Sequence, residues 1–143
     1  MIGYTSLDKK SVRILIHELE KGKSYKKGQK MKRYCFALDL IDNPELINSY
    51  KEHHLNVWPD IEASIKDSGI QYLEIYLVEN RLFMIIDALD NFSLEEKSKS
   101  DLGNSKVQEW ERLMWNYQKA LPKANPGEKW KQMDRIYRLH TNT

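Results

Sequence analysis

The feature that most restricts the fold is a nearly continuous apolar run from Leu82 to Leu89, reading Leu-Phe-Met-Ile-Ile-Asp-Ala-Leu. It is far too short to span a bilayer, which takes ~20 residues. It suits a central strand covered on both faces. Just before it, Ile70 to Val78 alternates, with Leu73, Ile75 and Leu77 on one side and Tyr72, Glu74 and Tyr76 on the other. That is a strand with two distinct faces. Glu79-Asn80 between the two runs suits a tight turn, so they form a hairpin.

The flanking segments build on this pair. Arg33 to Leu40 places Tyr34, Phe36, Leu38 and Leu40 at every second position, a further strand. Asn43-Pro44-Glu45 then combines an N-cap, a proline at the first helical position and an acid in the first turn. The helix they start should run through Tyr50 to about His54. Trp58-Pro59 interrupts it, since proline disfavours a helical residue before itself. A second helix follows from Pro59 to Asp67 and stops at Ser68-Gly69. After the hairpin, Ser93 and Glu96 are spaced as a capping box. Beyond a break at Gly103-Asn104, a longer helix is expected over Ser105 to Leu121, with Val107, Trp110, Met114, Tyr117 and Leu121 in helical period. Pro122 to Gly127 reads as a loop and Trp130 to Leu139 as a last strand.

Strand, helix, strand, strand, helix, strand is the order of an α+β, ferredoxin-like split βαβ fold: one antiparallel sheet with helices on one side. The other sheet face is apolar too. A second copy is the simplest cover, so we expect a two-fold homodimer.

Composition narrows the class. The first thirty residues hold eight Lys/Arg and three Asp/Glu, the remainder fifteen and eighteen. The expected division is a basic N-terminal extension, 1–30, and a folded domain, 31–143. Within the extension, Ser11 to Glu20 could form a short helix, followed by a Lys/Gly-rich linker from Lys21 to Lys30. The domain is slightly acidic, which argues against nucleic acid. No apolar segment suits a membrane span or a signal peptide, so a cytoplasmic protein is expected. Its one cysteine, Cys35, cannot form an intrachain disulfide and reads as a buried structural thiol.

Tyr50 and His54 lie four residues apart and so share a helix face, with His53 and Trp58 nearby. Aromatic rings stack on the C–H faces of sugars, and imidazoles and carboxylates bind hydroxyls. An aromatic stripe at this spacing is also what a core looks like. The adjacent His53 and His54 cannot both point into one site from a regular helix, so a metal pair is not expected. No phosphate loop, nucleophile elbow or His-Glu-x-x-His motif occurs.

Several segments in order carry a resemblance. They are Tyr50-x3-His54-x2-Val57-Trp58-Pro59-x-Ile61-Glu62, Ser68-Gly69-Ile70, Glu74-Ile75-Tyr76 and Asn80 to Ile85. Val107-Gln108-Glu109-Trp110-Glu111-x2-Met114-Trp115, Leu121-Pro122 and Lys129-Trp130-x2-Met133-Asp134-x-Ile136-Tyr137 continue the set. Together they resemble the L-rhamnose/L-fucose mutarotase family over most of 31–143. The resemblance implies a dimeric α+β barrel that interconverts the anomers of a deoxyhexose without metal or cofactor. It also implies a first-helix tyrosine at Tyr50 and an acid/base histidine at His54. Where the rhamnose enzymes carry a strand tyrosine and a second tryptophan, this chain has Leu73 and Glu111, which resembles the L-fucose branch. His54 and Glu74 are therefore the expected catalytic residues, with Glu111 an alternative for the second. Tyr50, Trp58, Tyr76, Trp110 and Glu111 are expected to bind the sugar. An oxygenase-like enzyme of the same fold, or a sugar-binding module without catalysis, are the other readings.

Overall fold

The computed structural model describes residues 30–141. The expected helix from Ser11 to Glu20, and all of the linker but Lys30, lie outside the described residues. The elements are β1 (Met31–Leu40), α1 (Pro44–His53), α2 (Pro59–Asp67), β2 (Ile70–Val78) and β3 (Arg81–Leu89). They continue with α3 (Leu94–Leu102), α4 (Ser105–Trp115), β4 (Gln118–Lys119) and β5 (Lys131–Gln132).

The sheet is antiparallel with order β2-β3-β1-β4, and β5 also pairs with β1. This is the split βαβ arrangement. The α1–α2 pair carries the chain from β1 past β3 to β2, and α3–α4 carries it from β3 past β1 to β4. The apolar run is indeed central: β3 is paired along its whole length with β1 on one side and β2 on the other.

Local chemistry starts the helices where the sequence says. Asn43 Oδ1 accepts from the backbone N–H groups of Glu45 and Leu46 at 3.0 and 3.1 Å. Ser93 Oγ accepts from the Glu96 N–H at 3.2 Å, and Asn104 Oδ1 from those of Lys106 and Val107 at 3.1 and 3.3 Å. Each satisfies donors that a helix start leaves unpaired. At the other end of α2, Gly69 turns the chain into β2 with φ +101°, a conformation costly for a side chain.

Alternation decides the layers. Phe36, Leu38, Leu40, Leu82, Ile86 and Ala88 are buried under the helices. All of these but Leu38 join Tyr50, Ile61, Phe92, Val107, Trp110 and Met114 in two clusters that meet at Ile65 and Trp130. A bulge at Gln71 shifts the register between Ile70 and Tyr72. It lets Ile70 as well as Leu73 face the helices.

Three expectations fail. α4 ends at Trp115 and not at Leu121. Tyr117 O accepts from the Ile41 N–H at 2.8 Å, and Gln118–Lys119 pair with Asp39 and Leu40. The free edge of β1 thus takes the backbone that the helical period had claimed. The last strand shrinks to Lys131–Gln132, beside Phe36 and Ala37. Beyond a bond from the Met133 N–H to Cys35 O at 2.7 Å, the segment runs exposed, with Ile136, Tyr137 and Leu139 open to solvent. Cys35 is half-buried rather than buried, on the sheet face that the helices do not cover.

Candidate active site

α1 ends with Tyr50 and His54 turned inward between the helices and the sheet. A cavity of about 210 Å³ opens there. Leu73 and Ile75 of β2, Met84 of β3, and Ile61 and Ile65 of α2 give it apolar walls. Trp110 and Met114 of α4 close another side. Its polar groups are few: Tyr50, His54, Ser64, Lys97, Asp101, Glu111, Gln118 and Lys129. Apolar walls with a few convergent polar groups are the usual make-up of a small-molecule site.

His54 is held on several sides. Its Nδ1 lies 2.8 Å from the Tyr50 carbonyl oxygen, which can only accept, so Nδ1 carries the proton. In the neutral ring, Nε2 is then left with its lone pair. The Tyr50 ring lies 4.4 Å from the imidazole and the Trp110 ring 5.8 Å. Burial pulls the His54 pKa below its ordinary value; the carbonyl bond opposes this and His53 adds to it. The imidazole is therefore neutral at pH 7, as a proton acceptor must be. Burial also pushes the Tyr50 hydroxyl up to about 12, so it keeps its proton.

Two lysine–carboxylate pairs reach the cavity. Lys97 Nζ and Asp101 Oδ1 are 2.6 Å apart, one turn apart on α3. Lys129 Nζ donates to the Glu111 carbonyl at 3.1 Å, lies 4.0 Å from Glu111 Oε2, and sits 5.0 Å from the centre of the Trp115 ring. Burial pulls the Lys129 pKa down, making its ammonium a better proton donor than an exposed lysine. Among the described residues no three His, Cys, Asp or Glu side chains are placed to hold a metal ion.

Four of the residues expected from the sequence meet here: Tyr50, His54, Trp110 and Glu111. Trp58 stands behind the wall, its ring 5.1 Å from that of Trp110 and edge-on to it. Glu74 and Tyr76 do not join them. They point to the uncovered side of β2, where the Tyr76 hydroxyl donates to Glu74 Oε2 at 2.7 Å, and Tyr76 is 52% exposed. The reason is the pleat: Leu73 and Ile75 take the cavity face, so Glu74 and Tyr76 must take the other. Sequence reasoning missed Lys97, Asp101, Gln118 and Lys129. Asp101 four residues after Lys97 is a readable helical pair. Lys129 opens one of the segments that carry the resemblance, but nothing local marks Gln118, and both reach the cavity only through long-range folding.

Comparisons with known proteins identify the family of the chain and its fold. A family model described as L-rhamnose mutarotase matches residues 33–139. An L-fucose mutarotase from Xanthomonas campestris pv. campestris is 41% identical over 111 residues, covering 76% of this chain and 89% of the relative. An L-rhamnose mutarotase from Klebsiella pneumoniae is 28% identical over 98 residues, covering 67% of this chain and 85% of that one. Among solved structures, the L-rhamnose mutarotase of Formosa agariphila superimposes with a TM-score of 0.57 at 19% identity. That match covers 76% of this chain and 99% of the other, and shows the fold.

Proposed function

Since this chain belongs to the L-rhamnose mutarotase family, we propose that it works on the cavity's sugar as an isomerase, interconverting the α and β anomers of a deoxyhexose. L-Fucose is the first substrate to test and L-rhamnose the second, because the relative at 41% identity is named for fucose. The single observation behind the mechanism is the half-buried, neutral imidazole of His54 opening into a ring-lined cavity with its Nδ1 tied to a carbonyl.

The chemistry follows from that arrangement. Nε2 of His54 takes the proton of the anomeric hydroxyl as the bond from C1 to the ring oxygen breaks. The ring oxygen receives a proton from the Lys129 ammonium, which Glu111 holds in place. The resulting aldehyde turns about the C1–C2 bond. Reclosure returns the first proton from His54 to the new anomeric hydroxyl and the second from the ring-opened hydroxyl to Lys129. Both groups end as they began. Trp110 supports the C–H face of the sugar, backed by Trp58. The second proton role passes from Glu74, which lies across the sheet, to the Glu111–Lys129 pair.

Saturation-transfer NMR tests the reading. Wild-type protein should speed anomer exchange of L-fucose, L-rhamnose or both, and Glu74→Gln should keep that rate within about twofold, since the carboxylate contacts no cavity atom. Exchange at the buffer rate for both sugars refutes the proposal.

We also infer a homodimer. On the uncovered face, Phe83, Ile85, Ala37 and Cys35 form an apolar centre. Two cross-strand ion pairs frame it: Arg33 with Asp87 at 2.7 and 2.9 Å, and Arg81 with Asp39 at 2.8 and 3.2 Å. The exposed Ile136, Tyr137 and Leu139 add apolar surface that a second copy can cover. Light scattering should give about twice the 17.0 kDa of one chain. A monomer at micromolar concentration removes this part of the reading. Among the described residues no helix is long and apolar enough to cross a membrane. A single free thiol suits the reducing cytoplasm, where we place the protein. The chemistry is assigned to 31–143, with 1–30 an appendage to it.

A further inference from the structure

Gln118 stands at the start of β4, 7% exposed, and lines the cavity beside Tyr50. Its Nε2 donates to the Tyr50 hydroxyl oxygen at 3.5 Å, a long bond. Its Oε1 is fully covered and has no hydrogen-bond partner, the one such side-chain atom among the described residues. A buried acceptor left unpaired is unfavourable, and folded proteins rarely keep one without a use. An apolar residue of similar length would fill the same space at no such cost.

The pair also has a specific chemistry. The Tyr50 oxygen accepts from the Gln118 amide, so its own proton remains to be donated. The Gln118 carbonyl, covered as it stands, is free to accept once its amide turns toward the cavity. One donor and one acceptor side by side complement a hydroxyl group, which accepts and donates at once.

We propose that Gln118, with Tyr50, reads one secondary ring hydroxyl of the sugar, and so selects among deoxyhexoses by the position and configuration of that hydroxyl. The inference rests on the mutarotase reading and deepens it. Gln118 does no proton transfer: it positions the ring while His54 acts on the anomeric centre. A site that hydrogen-bonds a hydroxyl discriminates strongly against a sugar without it, because its buried polar groups then stay unpaired.

Two measurements decide the matter. In the first, wild-type protein is assayed for anomer exchange with L-fucose, L-rhamnose and the singly deoxygenated forms of the better substrate. One deoxy sugar should show KM raised about tenfold or more, the loss of one good hydrogen bond, with kcat nearly kept. In the second, Gln118→Met is assayed on the same set. Its KM for the full sugar should rise about tenfold, while its KM for that deoxy sugar matches wild type. Its melting temperature should be unchanged or higher, because an unpaired buried carbonyl has gone. If wild type accelerates exchange but tolerates every deoxy sugar equally, the Gln118 assignment falls and the mutarotase reading stands. The assignment falls in the same way if Gln118→Met melts lower with KM unchanged. If wild type accelerates no exchange, both fall.

Discussion

His54→Ala should slow anomer exchange by about 10²- to 10⁴-fold, the usual worth of one positioned acid/base group. The fold should survive, because His54 caps α1 through its backbone N–H while its ring serves the cavity. Circular dichroism checks that, and saturation-transfer NMR reads the rate. The pH profile is the sharper signature. A base must be unprotonated, and burial holds the folded pKa of His54 below its ordinary 6.5. Wild-type exchange should therefore be flat through neutrality and fall only in acid, as pH drops through that lowered value. His54→Ala should lose this acid limb. The same shift makes the folded protein bind fewer protons than the unfolded chain between the two pKa values. Stability from this group is thus fully present above 6.5 and declines as pH falls through the folded value. A mutant that keeps more than about a tenth of the wild-type rate, with the acid limb intact, would show that another group takes the proton.

Trp110→Ala should hurt the protein twice over. The indole is 9% exposed, and its ring stands within 6.5 Å of those of His53, His54 and Trp58. Removing it leaves a void between α1, α2 and α4, and large aromatic truncations in a core cost about 3–5 kcal/mol. That is a large part of the stability of a domain this size. Urea denaturation should show the midpoint falling steeply. His54 also loses the ring that packs against its edge, so exchange should drop even where the variant is folded. Trp110→Phe keeps part of the wall and should recover most of the stability while still raising KM. An alanine variant that unfolds within about 1 kcal/mol of wild type would mean that the wall is carried by other residues.

The legible and the illegible parts of this protein divide on physical grounds. Helix starts were readable because a cap is a contact between neighbours: Asn43 and Ser93 each bond to backbone two or three residues ahead, while at Asn104 only the break could be read and the structure showed the cap. The hairpin and the central place of β3 were readable because a pleat has period two and the nearly continuous apolar run is the strand paired on both sides, although the helices cover only one of its faces. The Tyr50–His54 pairing was readable because four residues make about one helical turn.

Alternation separates two faces of a strand but does not say which face the helices will cover. Both faces of β2 carry large side chains, so Leu73 and Ile75 could be distinguished from Glu74 and Tyr76 but not assigned to the cavity. Only the packing of α1–α4 on one side settled that, and it took Glu74 and Tyr76 out of the pocket. The end of α4 was decided in the same way. The helical period runs on through Tyr117, yet the backbone there satisfies the open edge of β1, and an unpaired edge outweighs a local preference. Gln118 and Lys129 came to the cavity by that route. The amino-acid order alone determined β1 to β3, the starts of the helices and the imidazole. The tertiary structure alone decided which side chains share its cavity, because that depends on contacts between residues far apart in the chain.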